Sequence, residues 1–168
     1  IMHTTFQDGF MSNAMWLLVS NISNIKDGNF DSIVLHIHEC QVPMARGGVK
    51  SVFKDLFAAT MLNKHTLRNC IVANASIQFS LYPILKDWAL REVNANVEED
   101  VAVYIAACDV IDFYKGIKHS RTSTEDARMP MLDAYEKWLE LHKARYGSCN
   151  INPKFFWMWA VCNRIADA

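Results

Sequence analysis

Apolar residues recur at helical spacing along almost the whole chain. The first predicted helix begins after Asp8-Gly9 and ends before residues 26–28, which read Lys-Asp-Gly. Intervals of three and four residues between apolar side chains are what one buried helix face requires. That face comprises Phe10, Ala14, Leu17 and Leu18.

In the middle of the chain, one short segment fits either a strand or a helix, and one longer segment predicts a helix. Ile33, Leu35 and Ile37 lie at every second position, which fits either a strand or a short helix. Thr66 is a residue type that caps helices, and the apolar pattern after it continues to about Val93. Pro83 lies inside this stretch and lacks a backbone donor, so we expect a kink or a break near Leu81.

The second half of the chain contains three further helix patterns. Residues 98–100 are all acidic and suit the first turn of a helix that runs to Gly116. Residues 123–126 read Ser-x-x-Asp, a capping box, and open a helix that Gly147 ends. Residues 153–165 form a last, aromatic helix. The sequence therefore predicts an all-α fold, an irregular bundle of five to seven helices.

A flexible point at Arg46-Gly47-Gly48 divides the pattern into two parts. We expect residues 1–45 to form an N-terminal helical hairpin and residues 46–168 the main helical bundle, together one compact domain. Within the bundle, helices over 66–93 and 97–115 are expected to pack antiparallel. Their apolar faces meet at Ile77, Leu81, Ile105 and Val110.

Composition excludes some functions and leaves others open. The chain has 168 residues, of which 51% are hydrophobic and 21% charged, so it can bury a core and does not resemble a disordered segment. Its 17 Lys and Arg against 18 Asp and Glu exclude strong binding to nucleic acid by phosphate neutralisation alone. The five cysteines are odd in number and form no C-x-x-C pair, which is typical of an intracellular, reducing compartment.

Two uncharged windows raise the question of a membrane. Residues 9–25 and 69–85 carry no charge, but both are shorter than the ~20 apolar residues of a spanning helix. Both also contain several amide and hydroxyl side chains. We therefore expect buried helices, with membrane association as the alternative.

Two groups of side chains have the chemistry of metal ligands. His36 and His38 precede Cys40, but on a helix the two imidazoles point about 200° apart, and only on a strand would they share a face. Asp109 and Asp112 lie on one helix face and have the spacing of paired carboxylates. We interpret the first group as a packed edge and the second as a salt bridge to a Lys or Arg of a neighbouring helix. No cofactor is predicted.

Two further groups are candidates for binding partners. Basic residues around the loop at 116–123 have the chemistry of phosphate contacts, with a solvated loop as the alternative. An aromatic cluster in the last helix would anchor that helix in the core or bind a partner. The basic group is Lys115, Lys118, Arg121 and Arg128, and the aromatic group is Phe155, Phe156, Trp157 and Trp159.

Four segments together resemble the helical region of a eukaryotic DDE transposase of the hAT or CACTA-like type. The first is Met2-His3, which is followed by Asp8-Gly9 and an apolar helix. The others are Leu81-Tyr82-Pro83, the acidic interruptions at residues 107–112, and Asn152-Pro153-Lys154 with the aromatics after it. Their order and spacing cover nearly the whole chain.

The resemblance implies a nuclear helical domain that positions DNA and partner subunits, with His3 as a candidate site residue for metal. The family's Asp before Met-His is not in the sequence, and Phe155 and Phe156 stand where the family usually has His. These departures imply a degenerate or truncated copy that is not catalytic alone. The alternative is a structural or linker subunit of a larger assembly. Other protein chains are the expected partners under both hypotheses, with DNA a further possibility and membrane or pigment the least favoured.

Overall fold

Eight helices form the part of the chain that the computed structural model describes, residues 5–22, 30–40, 49–92, 96–119, 124–148, 151 and 153–164. The all-α prediction is confirmed, and eight helices are close to the predicted five to seven. In chain order the helices are α1 (Phe10–Ile22), α2 (Asp31–Glu39), α3 (Val49–Leu56), α4 (Ala59–Arg68), α5 (Ala75–Glu92), α6 (Glu98–His119), α7 (Thr124–Tyr146) and α8 (Pro153–Arg164).

Most predicted helix ends agree with the structure. α1 begins after Asp8, whose φ of 57° turns the chain into the helix, and residues 31–39 form a helix rather than a strand. Gly147 ends α7 with a φ of 79°, and its N–H donates to the carbonyl of Lys143 at 2.9 Å. The predicted exit of the first helix at 26–28 and the capping residue Ser123 lie outside the described residues.

The prediction of one helix from Thr66 to Val93 is wrong. Thr66 lies in the last turn of α4, where its hydroxyl donates to the carbonyl of Leu62 at 2.9 Å. Asn69 then ends that helix in the left-handed conformation, with φ 49° and ψ 40°. The next helix, α5, begins after Asn74, whose side-chain oxygen accepts the N–H of Ile77 at 3.0 Å. Two asparagines therefore make the boundary, because this residue type tolerates left-handed backbone and caps helices well.

Pro83 does not break α5. The helix runs from Ala75 to Glu92 with the proline inside it. Beside this point, the hydroxyl of Tyr104 donates to the carbonyl of Tyr82 at 2.9 Å. A bond from α6 thus supports the backbone next to the proline.

The long helix α6 lies at the centre of the bundle. It packs most extensively against α7, then against α1 and α5. The predicted contact between α5 and α6 is confirmed, with Leu81 and Val110 fully buried and Ile77 and Ile105 packed against the same core. α2 and α8 are outer helices. α2 packs mainly against α3 and next against α5, and α8 packs against α7.

A buried carboxylate joins three of these helices. Asp100, in the first turn of α6, is only 1% exposed. It accepts hydrogen bonds from Asn21 of α1 at 2.7 Å and from Tyr146 of α7 at 2.6 Å. Arg145 donates to both carboxylate oxygens, at 3.2 and 2.9 Å. Of the three acidic residues in the first turn of α6, Asp100 therefore connects this helix to α1 and α7.

The division into residues 1–45 and 46–168 stays a prediction, because its boundary falls within 41–48, outside the described residues. Ile37 and Phe53, from the two sides of that boundary, belong to one buried cluster. Within the described ranges, none of the helices has the length and apolarity needed to cross a membrane.

Candidate functional site

An open apolar groove lies between the C-terminal half of α7 and the chain around α8. Its volume is about 310 Å³. One wall comes from Tyr135, Leu139 and Lys143, which are four residues apart and so form a stripe along one face of α7. The facing wall is formed by Ile151, Phe155, Phe156 and Trp159.

The start of α8 is fastened to the bundle by one aromatic ring and two polar contacts. Phe155 is 1% exposed and its ring packs edge-on against Trp138, with centroids 5.2 Å apart. The hydroxyl of Tyr135 donates to the carbonyl of Phe155. The ammonium of Lys154 donates to the carbonyl of Gln7 at 2.9 Å. These contacts fix the wall of the groove that α8 contributes.

The exposed side of α8 carries an aromatic pair. Phe156 is 70% exposed and Trp159 is 40% exposed, and their ring centroids lie 5.3 Å apart. The aromatic group of the sequence therefore divides between its two interpretations. Phe155 is a core anchor, whereas Phe156 and Trp159 line the groove, and the side chain of Trp157 lies outside the described residues.

The wall of the groove that α7 contributes was not predicted from the sequence. Tyr135, Leu139 and Lys143 were not selected as candidate site residues. The signal that identifies them is the spacing of four residues, which places two apolar residues and one cation on one helix face. Which face of α7 meets α8 depends on tertiary packing.

The two carboxylates considered as metal ligands form ion pairs with a lysine of the neighbouring helix. The ammonium of Lys86, on α5, lies 3.4 Å from Asp109 and 3.1 Å from Asp112. Tyr82 also donates to Asp112 at 2.9 Å. The predicted salt bridge to a neighbouring helix is confirmed. Burial raises the pKa of the Tyr82 phenol, as does its bond to Asp112, so it remains a donor at neutral pH.

Lys115 turns its charge toward α5. Its ammonium donates to the hydroxyl of Tyr82 and lies over two aromatic rings, 4.7 Å from the centre of Phe79 and 4.4 Å from that of Tyr82. This half-buried position weakens the case for Lys115 as a phosphate contact. The side chains of Lys118 and Arg128 and the whole of Arg121 lie outside the described residues.

His36 and His38 lie on a helix, which separates the two imidazoles as expected from the sequence for that alternative. His36 is buried on α2, whereas His38 is exposed. The neighbours of His36 are Cys40, one turn further along, and Asp87 of α5. His3 lies outside the described residues.

Comparisons with known proteins were made at the level of family, sequence and structure. No protein-family model, no curated protein and no solved structure matches the chain.

Proposed function

We propose that this chain is a helical, transposase-derived domain that is not catalytic alone and that binds an amphipathic helix of another protein in the groove between α7 and α8. The observation that carries the binding role is the exposed pair Phe156 and Trp159 above an apolar floor. Exposed aromatic side chains at a well-packed apolar surface are the usual anchors of protein interfaces.

The shape and charge of the groove support a helix as its occupant. The stripe from Tyr135 to Lys143 extends about 12 Å along α7, which is roughly two turns of a bound helix. Grooves between two helices take the apolar face of a third helix through side chains spaced three and four residues apart. Lys143 is exposed at the rim, so an acidic residue beside the apolar face of the partner would complement its charge.

The transposase part of the proposal is supported by the four sequence segments and agrees with the all-α fold. A role without catalysis is supported by the ion pairs of Asp109 and Asp112 with Lys86, since these carboxylates already have a cation. A partner protein is favoured over DNA by the position of Lys115, whose ammonium is engaged by Tyr82.

Labelled helical peptides test the binding role. One peptide carries Leu at helical spacing with Glu beside the apolar face, and a second carries Lys in place of Glu. By fluorescence anisotropy with the full chain, we expect the Lys peptide to bind about fivefold more weakly, the effect of about 1 kcal/mol at an exposed charge pair. The double variant Phe156→Ser, Trp159→Ser should bind the Glu peptide at least about tenfold more weakly.

A matched control replaces an exposed apolar residue elsewhere. Leu67→Ser changes a side chain that is 86% exposed on α4 and should leave peptide binding unchanged. Equal weakening by both substitutions would refute the groove as the binding site. Salt-dependent binding of a DNA duplex without peptide binding would show that the partner is nucleic acid. If light scattering shows a dimer of the chain, and the double variant Phe156→Ser, Trp159→Ser is monomeric, the occupant of the groove is a second copy.

A further inference from the structure

The side chains of His36, Cys40 and Asp87 converge at the contact between α2 and α5. Their ligand atoms all lie within 4.8 Å of one another. The imidazole Nε2 of His36 lies 3.4 Å from the Sγ of Cys40 and 3.2 Å from the Oδ2 of Asp87. A thiol, an imidazole and a carboxylate are three of the ligand types that bind zinc.

A single hydrogen bond does not account for both contacts of the His36 imidazole. An imidazole Nε2 carries either one proton or one lone pair, so it forms one in-plane hydrogen bond at a time. Here two polar atoms, the sulfur of Cys40 and an oxygen of Asp87, approach the same nitrogen. A cation between the three atoms would satisfy all of them at once.

We propose that His36, Cys40 and Asp87 bind a zinc ion, with water in the fourth position. Zinc–ligand bonds of about 2.0–2.3 Å at tetrahedral angles place nitrogen and oxygen ligands about 3.4 Å apart, and sulfur and nitrogen ligands about 3.6 Å apart. The two separations that involve Nε2, 3.2 Å and 3.4 Å, are close to those values, and the third, between the sulfur and the carboxylate, is at most 4.8 Å. The proposal is independent of the function proposed for the groove between α7 and α8.

The surrounding structure holds these ligands in place. His36 and Cys40 are one helical turn apart, and the N–H of Cys40 donates to the carbonyl of His36 at 3.0 Å. Beside Asp87, the indole N–H of Trp88 donates to Ser32 at 3.2 Å, which fastens α5 to α2. The side chain of His36 is 6% exposed, whereas that of Asp87 is 53% exposed, so water can reach the fourth position.

One cation competes for the same carboxylate. Arg91 lies 2.9 Å from the Oδ2 of Asp87. When zinc binds this oxygen, Arg91 can hold the other carboxylate oxygen and orient the ligand, as partners outside the coordination sphere commonly do. Metal binding removes the thiol proton, so the Cys40 thiolate and the Asp87 carboxylate together offset the double positive charge of zinc.

Zinc titration of the purified, metal-free chain tests the proposal, with a chromophoric chelator as competitor. We expect one zinc ion per chain. Cys40→Ser and Asp87→Asn should each lower the affinity at least about tenfold. His38→Gln is the matched control, because it removes an exposed imidazole from the same helix two residues from His36. It should leave the affinity unchanged.

Two further measurements separate a metal site from a folding defect. Cobalt in place of zinc should give a thiolate charge-transfer absorption. Cys40→Ser should abolish this absorption. Asp87→Asn, which changes an exposed side chain, should retain it but require a higher cobalt concentration. Zinc at a hundredfold excess over its Kd should raise the Tm of the native chain by about 5–10 °C. Absence of the cobalt band, or loss of zinc binding in His38→Gln equal to that in Cys40→Ser, would overturn the proposal.

Discussion

Replacing Asp100 by Asn should destabilise the bundle more than any other change of a single charge that the structure describes. Asp100 accepts hydrogen bonds from Asn21, Arg145 and Tyr146 while it is almost fully buried. An amide at this position keeps one acceptor oxygen and turns N–H groups toward the guanidinium of Arg145. Removing one partner of a buried ion pair costs about 3–5 kcal/mol.

The lower end of that range applies here. The side chain of Arg145 is 37% exposed, so water can solvate its charge when Asp100 is lost. We therefore expect Asp100→Asn to lower the free energy of unfolding by about 3 kcal/mol, which corresponds to a fall in Tm of about 6–12 °C for a chain of this size. Urea denaturation and thermal melts followed by circular dichroism at pH 7 measure both quantities.

Glu99 offers a matched control one residue away. Its carboxylate is 77% exposed and lies 3.5 Å from the same guanidinium. Glu99→Gln makes the same chemical change at the surface and should cost only about 0.2–1 kcal/mol. Equal losses of stability in the two variants would refute the reasoning that burial makes the Asp100 pair important.

The pH dependence of the same pair has a defined sign. Burial opposes ionisation of Asp100, but the hydrogen bonds from Arg145, Tyr146 and Asn21 outweigh it and hold its pKa below the usual value of 3.8. A carboxyl group with a lowered pKa in the folded state contributes stability that is present above its unfolded pKa and is lost as pH falls through the folded value. The stability difference between the native chain and Asp100→Asn should therefore shrink below about pH 4.

Three other perturbations have outcomes set by the structure. His65 is buried, donates to the carbonyl of Leu56 and accepts the N–H of Val72, and burial lowers its pKa. Stability should therefore fall as pH drops below 6.5, by at most about 1.4 kcal/mol per pH unit for this group, and His65→Gln should reduce that slope in urea titrations from pH 8 to 5. Trp138→Ala should cost about 3–5 kcal/mol in urea denaturation, because the indole is fully buried between Phe10 and Phe155, whereas Leu67→Ala should cost almost nothing. In a plasmid-nicking assay with Mg²⁺ or Mn²⁺ the chain should show no cleavage, and nicking that Asp109→Asn abolishes would show that Lys86 does not neutralise this carboxylate.

Helix boundaries were predictable where the apolar pattern and a stop signal coincide. Gly147 follows the last apolar turn of α7, and left-handed backbone at that position is the ordinary role of glycine. Thr66 misled the prediction because threonine caps helices and also bonds back to the carbonyl four residues earlier, as it does here with Leu62. Asn69 and Asn74 indicate the true boundary between α4 and α5, but the continuous apolar pattern across them favoured a single helix.

The candidate sites were predictable only in part, because each combines residues of different helices. Phe155 and Phe156 are adjacent on α8 and so face different directions, but the sequence does not show which of them meets α7. From the sequence, His36 was grouped with His38 and Cys40, and a helix was expected to separate the two imidazoles, as α2 does. The spacing of four residues to Cys40 identifies a shared helix face, whereas Asp87 has no sequence signal, since its position depends on how α5 packs against α2.

The position of the two sites in the fold explains how they can be tested separately from stability. α6 lies at the centre with α1, α5 and α7 around it, and α2 and α8 pack mainly on the outside of that group. Substitutions at Asp100 act on the central helices and should change stability without changing peptide or zinc binding in the folded chain. Cys40 lies beside His36 and Asp87, whereas Phe156 lies beside Trp159. Cys40→Ser should therefore weaken only zinc binding, and Phe156→Ser should weaken only peptide binding.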